Sequence, residues 1–176
     1  MNELSVTEHA VLGLLSEGPS HGFAISKQLG ADSEVGRILT VRRPLVYRAL
    51  DRLVEAGLAE PIHTEKGVSG PNRVIHQITK SGRGELDRWL DLPVDHIRDI
   101  RIEFLLKVAL LIRVRRSPRR LIRAQQTSLE RTLAALEDPL TDDHVEIWRR
   151  QNARAAASYL EELAGLYGRG GDRPIR

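Results

Sequence analysis

The chain has 176 residues, 41% hydrophobic and 29% charged, with a formal net charge of +3 and a sequence pI near 9.6. This is a globular composition, enough for one ordinary domain or a small domain with an extension, and it excludes a disordered chain. The absence of cysteine excludes disulfides, thiolate nucleophiles and cysteine-ligated zinc or iron–sulfur sites, and a cytoplasmic setting is the simple expectation.

Aromatic residues are only 4% of the chain, so the core must be Leu, Ile, Val and Ala, which favours helices. The longest apolar run, FLLKVALLI from Phe104 to Ile112, is interrupted by Lys107 and reads as a buried helix. The opening MNELSVTEHA is acidic and polar, unlike a secretory signal, and no membrane partner is expected.

In chain order, Ser5 and Glu8 form a capping box ahead of Val11, Leu12, Leu14 and Leu15, and Gly18-Pro19 stops that helix. Ser20 is the expected cap of a second helix, HGFAISKQLG, which buries Phe23, Ile25 and Leu29. A connector between Gly30 and Gly36 leads to VRRPLVYRALDRLVEAGLAEP. There Pro44 suits a first helical turn and Gly57 a C-terminal cap. Val46, Leu50, Leu53 and Val54 share one side, while Arg48, Asp51, Arg52 and Glu55 take the other, and Leu45 falls off the apolar stripe.

Two strand-like pieces, LAEPIH and NRVIHQIT, flank the turn-rich TEKGVSGP and predict a hairpin. Thr79 caps a fourth helix carrying Leu86, Trp89 and Leu90, which ends at Leu92-Pro93. A fifth helix is expected over 95–115, a sixth from Ser117-Pro118 to Pro139, and a seventh from Thr141 with Asp142 and Asp143 in its first turn. In the last of these, Val145, Trp148, Asn152, Ala155, Tyr159 and Glu162 recur at 3-4 spacing. The tail GRGGDRPIR reads as disordered, and there is no internal repeat.

Three short helices and a hairpin are the order of a winged helix-turn-helix, whose third helix enters the major groove. The expected fold is mainly α with a small β-hairpin wing: a DNA-binding domain over 1–92, a helical dimerisation and effector domain over 93–168, and a tail over 169–176. Arg42 and Arg43 lead the third helix, where they meet phosphates or guanine edges. Arg48 and Arg52 lie on its solvent face, Tyr47 on its edge, and Leu45 is placed to touch a thymine methyl. Lys66 and Arg73 charge the wing, and Ser20, His21 and Lys27 complete the expected DNA-facing set. The alternative is ordinary surface charge, with Arg48 and Arg52 balanced by Asp51 and Glu55.

The segments LSVTEHAVLGLLSEGPSHGFAI and LVYRALDRLVEAGL, the IT-x-x-G step into the fourth helix, and RDIRIEFLLKVAL resemble the PadR-type transcriptional regulators. The resemblance implies a homodimeric cytoplasmic repressor paired through its C-terminal helices, with small aromatic or lipophilic molecules as effectors. It implies recognition-helix contacts by Tyr47 and Arg48 and wing roles for Gly70 and Arg73. The chain departs from the family pattern at Gly70-Pro71-Asn72-Arg73, where a wing arginine is missing. His76 stands at a tyrosine position, and Phe23 where tyrosine is common.

A single module makes few contacts, so a dimer reading a palindromic operator is expected. Its expected interface comprises Phe104, Leu111, Val145, Trp148, Asn152, Ala155, Tyr159 and Leu163, with Gln151 and Asn152 near the seam fixing register. Trp89, Phe104, Trp148 and Tyr159 are candidates to line an aromatic effector pocket, against the alternative that each is a core residue. The arginine-rich RVRRSPRRLIR is either a solvated corner or a partner for the acidic LEDPLTDDHVE of a second subunit. The histidines show no metal-ligand spacing, and no nucleophile elbow, P-loop or dinucleotide turn is present, so neither a cofactor nor catalysis is expected. The rival functions are a winged-helix protein-interaction module and a sequence-independent architectural DNA binder.

Overall fold

A computed structural model describes residues 3–66, 72–136 and 143–168. The wing tip with Gly70, the stretch 137–142 with Pro139, Thr141 and Asp142, and the tail 169–176 lie outside the described residues. Helix α1 (Val6–Ser16) starts on the expected capping box. The Glu8 N–H donates to Ser5 Oγ at 3.3 Å, and the Glu8 carboxylate accepts from the Ser5 N–H at 2.6 Å. Strand β1 (Ser20–His21) and helix α2 (Gly22–Gln28) follow.

His21, and not Ser20, caps α2: its Nδ1 accepts from the Ala24 N–H at 3.1 Å. Ser20 instead pairs with His76, which makes the sheet three-stranded. Its order is β1-β3-β2, all antiparallel, with β2 (Ala59–Glu65) and β3 (Arg73–Ile78) forming the expected hairpin. Pro61 sits in the edge strand β2, where a missing N–H is tolerated, and the register shifts between Pro61 and His63.

Helix α3 (Arg43–Glu55) buries Val46, Ala49, Leu50 and Leu53 at helical spacing. It ends in a Schellman turn, with Leu58 N–H donating to the Leu53 carbonyl and Gly57 N–H to the Val54 carbonyl. Gly57 takes φ of 69°, a conformation costly for any residue with a Cβ. Thr79 caps α4 (Lys80–Asp91), accepting from the Gly82 N–H at 3.0 Å and donating to the Gly57 carbonyl at 2.8 Å.

The expected fifth helix is divided. A single turn, α5 (Ile97–Asp99), passes into a π-helical turn (Ile100–Phe104) and then α6 (Leu105–Arg113). Helices α7 (Arg119–Ala135) and α8 (His144–Gly168) pack as a hairpin. One continuous apolar cluster joins α1 to Leu106, Leu110 and Phe104, and onward to Leu121, Ile122 and Leu160. A Cβ at Gly13 would stand 2.5 Å from Leu110 Cδ1, so α6 lies directly on α1. The linker after α4 is held by Gln125 of α7, whose amide accepts from the Val94 N–H at 2.7 Å and donates to its carbonyl at 3.0 Å.

This core corrects two expected interface residues. Phe104 is fully buried with its ring edge-on to Tyr159 at 6.5 Å, and Leu111 is buried in the same core. Both are covered by the subunit itself and offer nothing to a partner.

Candidate nucleic-acid interface

Because α3 buries the face carrying Val46 and Leu50, its opposite face is turned to solvent. Arg42, Arg43, Arg48, Leu45 at 46% exposure and Tyr47 at 44% stand there. Leu45, off the apolar stripe by its spacing, is outside the core. Tyr47 rests on Gly22: a Cβ there would lie 2.7 Å from the tyrosine Cε1, so a side chain at that position would displace the ring.

Three elements meet at Phe23 of α2. Lys27 Nζ lies 5.0 Å from its ring centroid, the Arg43 guanidinium 4.8 Å and the Arg73 guanidinium 5.9 Å. The His21 ring is stacked parallel to the same ring at 6.3 Å. The structure thus brings Ser20, His21, Lys27, Arg43 and Arg73 to one surface beside Tyr47. Phe23 is therefore a surface residue of this cluster and not the core residue expected from the sequence. Its cation at i+4, Lys27, is the local signal; the arrival of Arg43 and Arg73 is tertiary.

Lys27, Arg42, Arg43, Arg48, Lys66 and Arg73 have no carboxylate partner among the described residues. The balancing of Arg48 by Asp51 or Glu55 is therefore not seen. Arg52 is different. Its Nε pairs at 3.0 Å with Glu8, a carboxylate almost wholly buried under α3. That pairing commits one edge of the Arg52 guanidinium to the fold, while the side chain as a whole stays about half exposed.

Four arginines of the arginine-rich segment are engaged within their own chain. Arg113 makes a two-pronged contact with Glu17 at 2.6 and 2.7 Å and reaches Gln28 at 2.6 Å and Glu34 at 3.4 Å. The Glu17 contact holds its pKa above the ordinary arginine value. Arg116 pairs with Asp87, Arg120 with Asp91 at 3.4 Å, and Arg119 donates to the Tyr167 carbonyl. Arg113, Arg116 and Arg120 thus find carboxylates within their own chain.

The four aromatic candidates for an effector pocket do not converge. Trp89 stacks on His9 at 4.3 Å, donates to Glu103 at 2.9 Å and lies 4.8 Å under Lys107 Nζ. Phe104 and Tyr159 meet in the core, while Trp148 is 62% exposed. A separate cleft of about 410 Å³ opens between α1, α4 and α6, floored by Leu86, Leu90 and Leu110 and edged by Arg83 and Arg116. Among the described residues no cluster of metal-ligating side chains is found.

A helix-turn-helix closed by a three-stranded sheet, with Arg43 and Arg48 of its third helix lacking a carboxylate partner among the described residues, defines the class: a winged helix-turn-helix. Residues 11–88 match the Transcriptional regulator PadR-like family. This is a family of transcriptional regulators and not of enzymes. A probable transcriptional regulator of Mycobacterium tuberculosis, Rv1176c, is 30% identical over 90 residues, or 51% of this chain. The match spans about half of that relative's length, 46%. Bacillus subtilis PadR, solved in complex with operator DNA, is 20% identical with a TM-score of 0.49, covering 92% of this chain and 99% of that one. The same protein solved with p-coumaric acid is 19% identical with a TM-score of 0.42, covering 97% and 99%.

Proposed function

We propose that the chain is a dimeric, cytoplasmic DNA-binding repressor that leaves a palindromic operator when a small aromatic or lipophilic effector binds. The observation that carries the DNA reading is the set of cations on α3, α2 and the wing that have no carboxylate partner among the described residues. Such charges gain by displacing counter-ions from phosphates, and an acidic groove is the surface that exploits them. Tyr47 and Arg48 lie on the half of α3 that faces base edges when a recognition helix docks, with Leu45 placed for a thymine methyl and Arg43, at the leading end, placed for the backbone.

Dimerisation is supported by α8. Its buried residues are Ala153, Ala156 and Leu160, while the neighbouring stripe leaves Val145, Trp148, Ala155 and Leu166 exposed and Asn152, Tyr159 and Leu163 half-covered. An uncovered apolar stripe beside a covered one is what a second copy would bury. For the effector, the cleft between α1, α4 and α6 is an opening that touches both the N-terminal winged-helix region, through α1 and α4, and the C-terminal helices, through α6.

A mobility-shift assay on the DNA upstream of the protein's own coding sequence, with competitor and a salt series, tests the reading. A specific shift that weakens steeply with salt is expected. Equal binding to every sequence would point to an architectural protein, and no binding to a protein-interaction module.

A further inference from the structure

We propose that Lys27, Arg43 and Arg73 form one binding site for a single backbone phosphate, and that Phe23 is the residue that positions them. This rests on the DNA-binding reading and assigns a role to a side chain that the reading leaves unused. The three cations come from α2, α3 and β3, and nothing in the sequence brings them near each other. Each nevertheless points its charge at one aromatic ring, within 4.8 to 5.9 Å of its centroid.

Gathering three like charges is unfavourable unless something holds them. A carboxylate would hold them and cancel them. An aromatic face attracts cations through its quadrupole and carries no net charge, so it collects positive charge and leaves it intact for an outside anion. No carboxylate pairs with any of the three among the described residues. The ring itself has a fixed seat: its helix is anchored by the fully buried Ile25 and Leu29, and His21 caps that helix and stacks alongside. Because His21 Nδ1 accepts the Ala24 N–H, the neutral imidazole carries its proton on Nε2, which adds a donor next to the cations.

The arrangement also suits the anion. A phosphodiester presents two charged oxygens, and a site fed from the second helix, the recognition helix and the wing fixes all three relative to the duplex backbone at once. Long side chains held beforehand lose less freedom on binding, so the ring raises affinity beyond what the charges supply.

The test uses the full chain and a short duplex of arbitrary sequence, since a phosphate contact is blind to base identity. Phe23→Leu keeps the apolar bulk and removes the quadrupole. Binding is expected to weaken roughly tenfold, with the slope of log affinity against log salt reduced by about 0.9, one phosphate's worth. Phe23→Tyr is expected to bind like the native chain, and circular dichroism should be unchanged in both. A cycle of Lys27→Ala and Arg73→Ala supplies a second readout: the pair should cost less than the product of the single losses, because both serve one phosphate. Native affinity and slope in a folded Phe23→Leu, or strictly multiplicative losses in the cycle, would overturn the proposal. Should Phe23→Leu fail to fold, the cycle decides alone. If the native chain binds no duplex, the DNA reading falls and this site with it; if it binds with a steep slope that Phe23→Leu leaves intact, only this site falls.

Discussion

At the front of α3, Arg42, Arg43 and Arg48 stand in solvent without a carboxylate partner among the described residues, whereas around the α6–α7 corner Arg113, Arg116 and Arg120 each hold at least one. Both regions are rich in arginine, and the chain's small net charge distinguishes neither. In the corner the cations join α6 and α7 to α1, α4 and the loop before α3, so their work is done when the chain is folded. On the recognition face the charge remains unspent. Where cations lack partners is a better guide to a nucleic-acid surface than how many there are.

The largest effect is expected at Lys107 of α6, a cation whose charge is spent in the interior at 1% exposure. Its Nζ lies 2.9 Å from both Glu103 and the Leu92 carbonyl. Burial pulls its pKa below the ordinary lysine value, with the Glu103 contact opposing that pull. Lys107→Ala strands those acceptors and should cost about 3 kcal/mol of stability in urea unfolding. Lys107→Met, which keeps the packing, should cost less. An Arg43→Ala chain is the converse case. It should lose roughly 1–3 kcal/mol of affinity for its cognate site while its unfolding free energy stays within about 0.5 kcal/mol of native.

A smaller effect sharpens the account of the corner. Arg115 adopts φ of 56° in a Schellman turn after α6, where Arg116 N–H donates to the Leu111 carbonyl. Arg115→Gly relieves that left-handed strain and should stabilise the chain by about 1 kcal/mol in the same measurement. The mildest effect concerns His9, buried against Trp89 and lowered below the ordinary histidine value of 6.5 by desolvation. Its stability contribution is complete above pH 6.5, where folded and unfolded chains are both neutral at this ring. It is lost as pH falls through the folded-state value, because the unfolded chain takes the proton first. His76 shifts in the same direction, also by burial. His9→Phe should therefore flatten part, and not all, of the loss of stability below pH 6.5.

Local signals carried most of the fold. The Ser5–Glu8 capping box, the Gly57 turn, the Thr79 cap and the β2–β3 hairpin each depend on residues close to one another along the chain, and each forms as expected. Strand β1 escaped because two residues show no periodicity, and the π-turn at Ile100–Phe104 because it leaves the apolar pattern nearly unchanged. The candidate site was legible as a set of residues and not as a geometry. That Arg52 is held by Glu8, and that Arg43 and Arg73 reach Phe23, depends on how α1, α2, α3 and β3 pack. In α8 two apolar stripes lie side by side, and spacing alone does not say that Ala153, Ala156 and Leu160 are the ones its own chain covers.

The salt dependence of duplex binding, compared between two charge-removal variants, separates the arginines of the recognition face from those of the corner. Removing Arg43 and Arg48 together should lower the slope of log affinity against log salt by about 0.9 for each phosphate no longer neutralised, while removing Arg116 and Arg120 should leave it unchanged. Equal slopes in both variants, or a larger change from the corner, would contradict the division between spent and unspent charge.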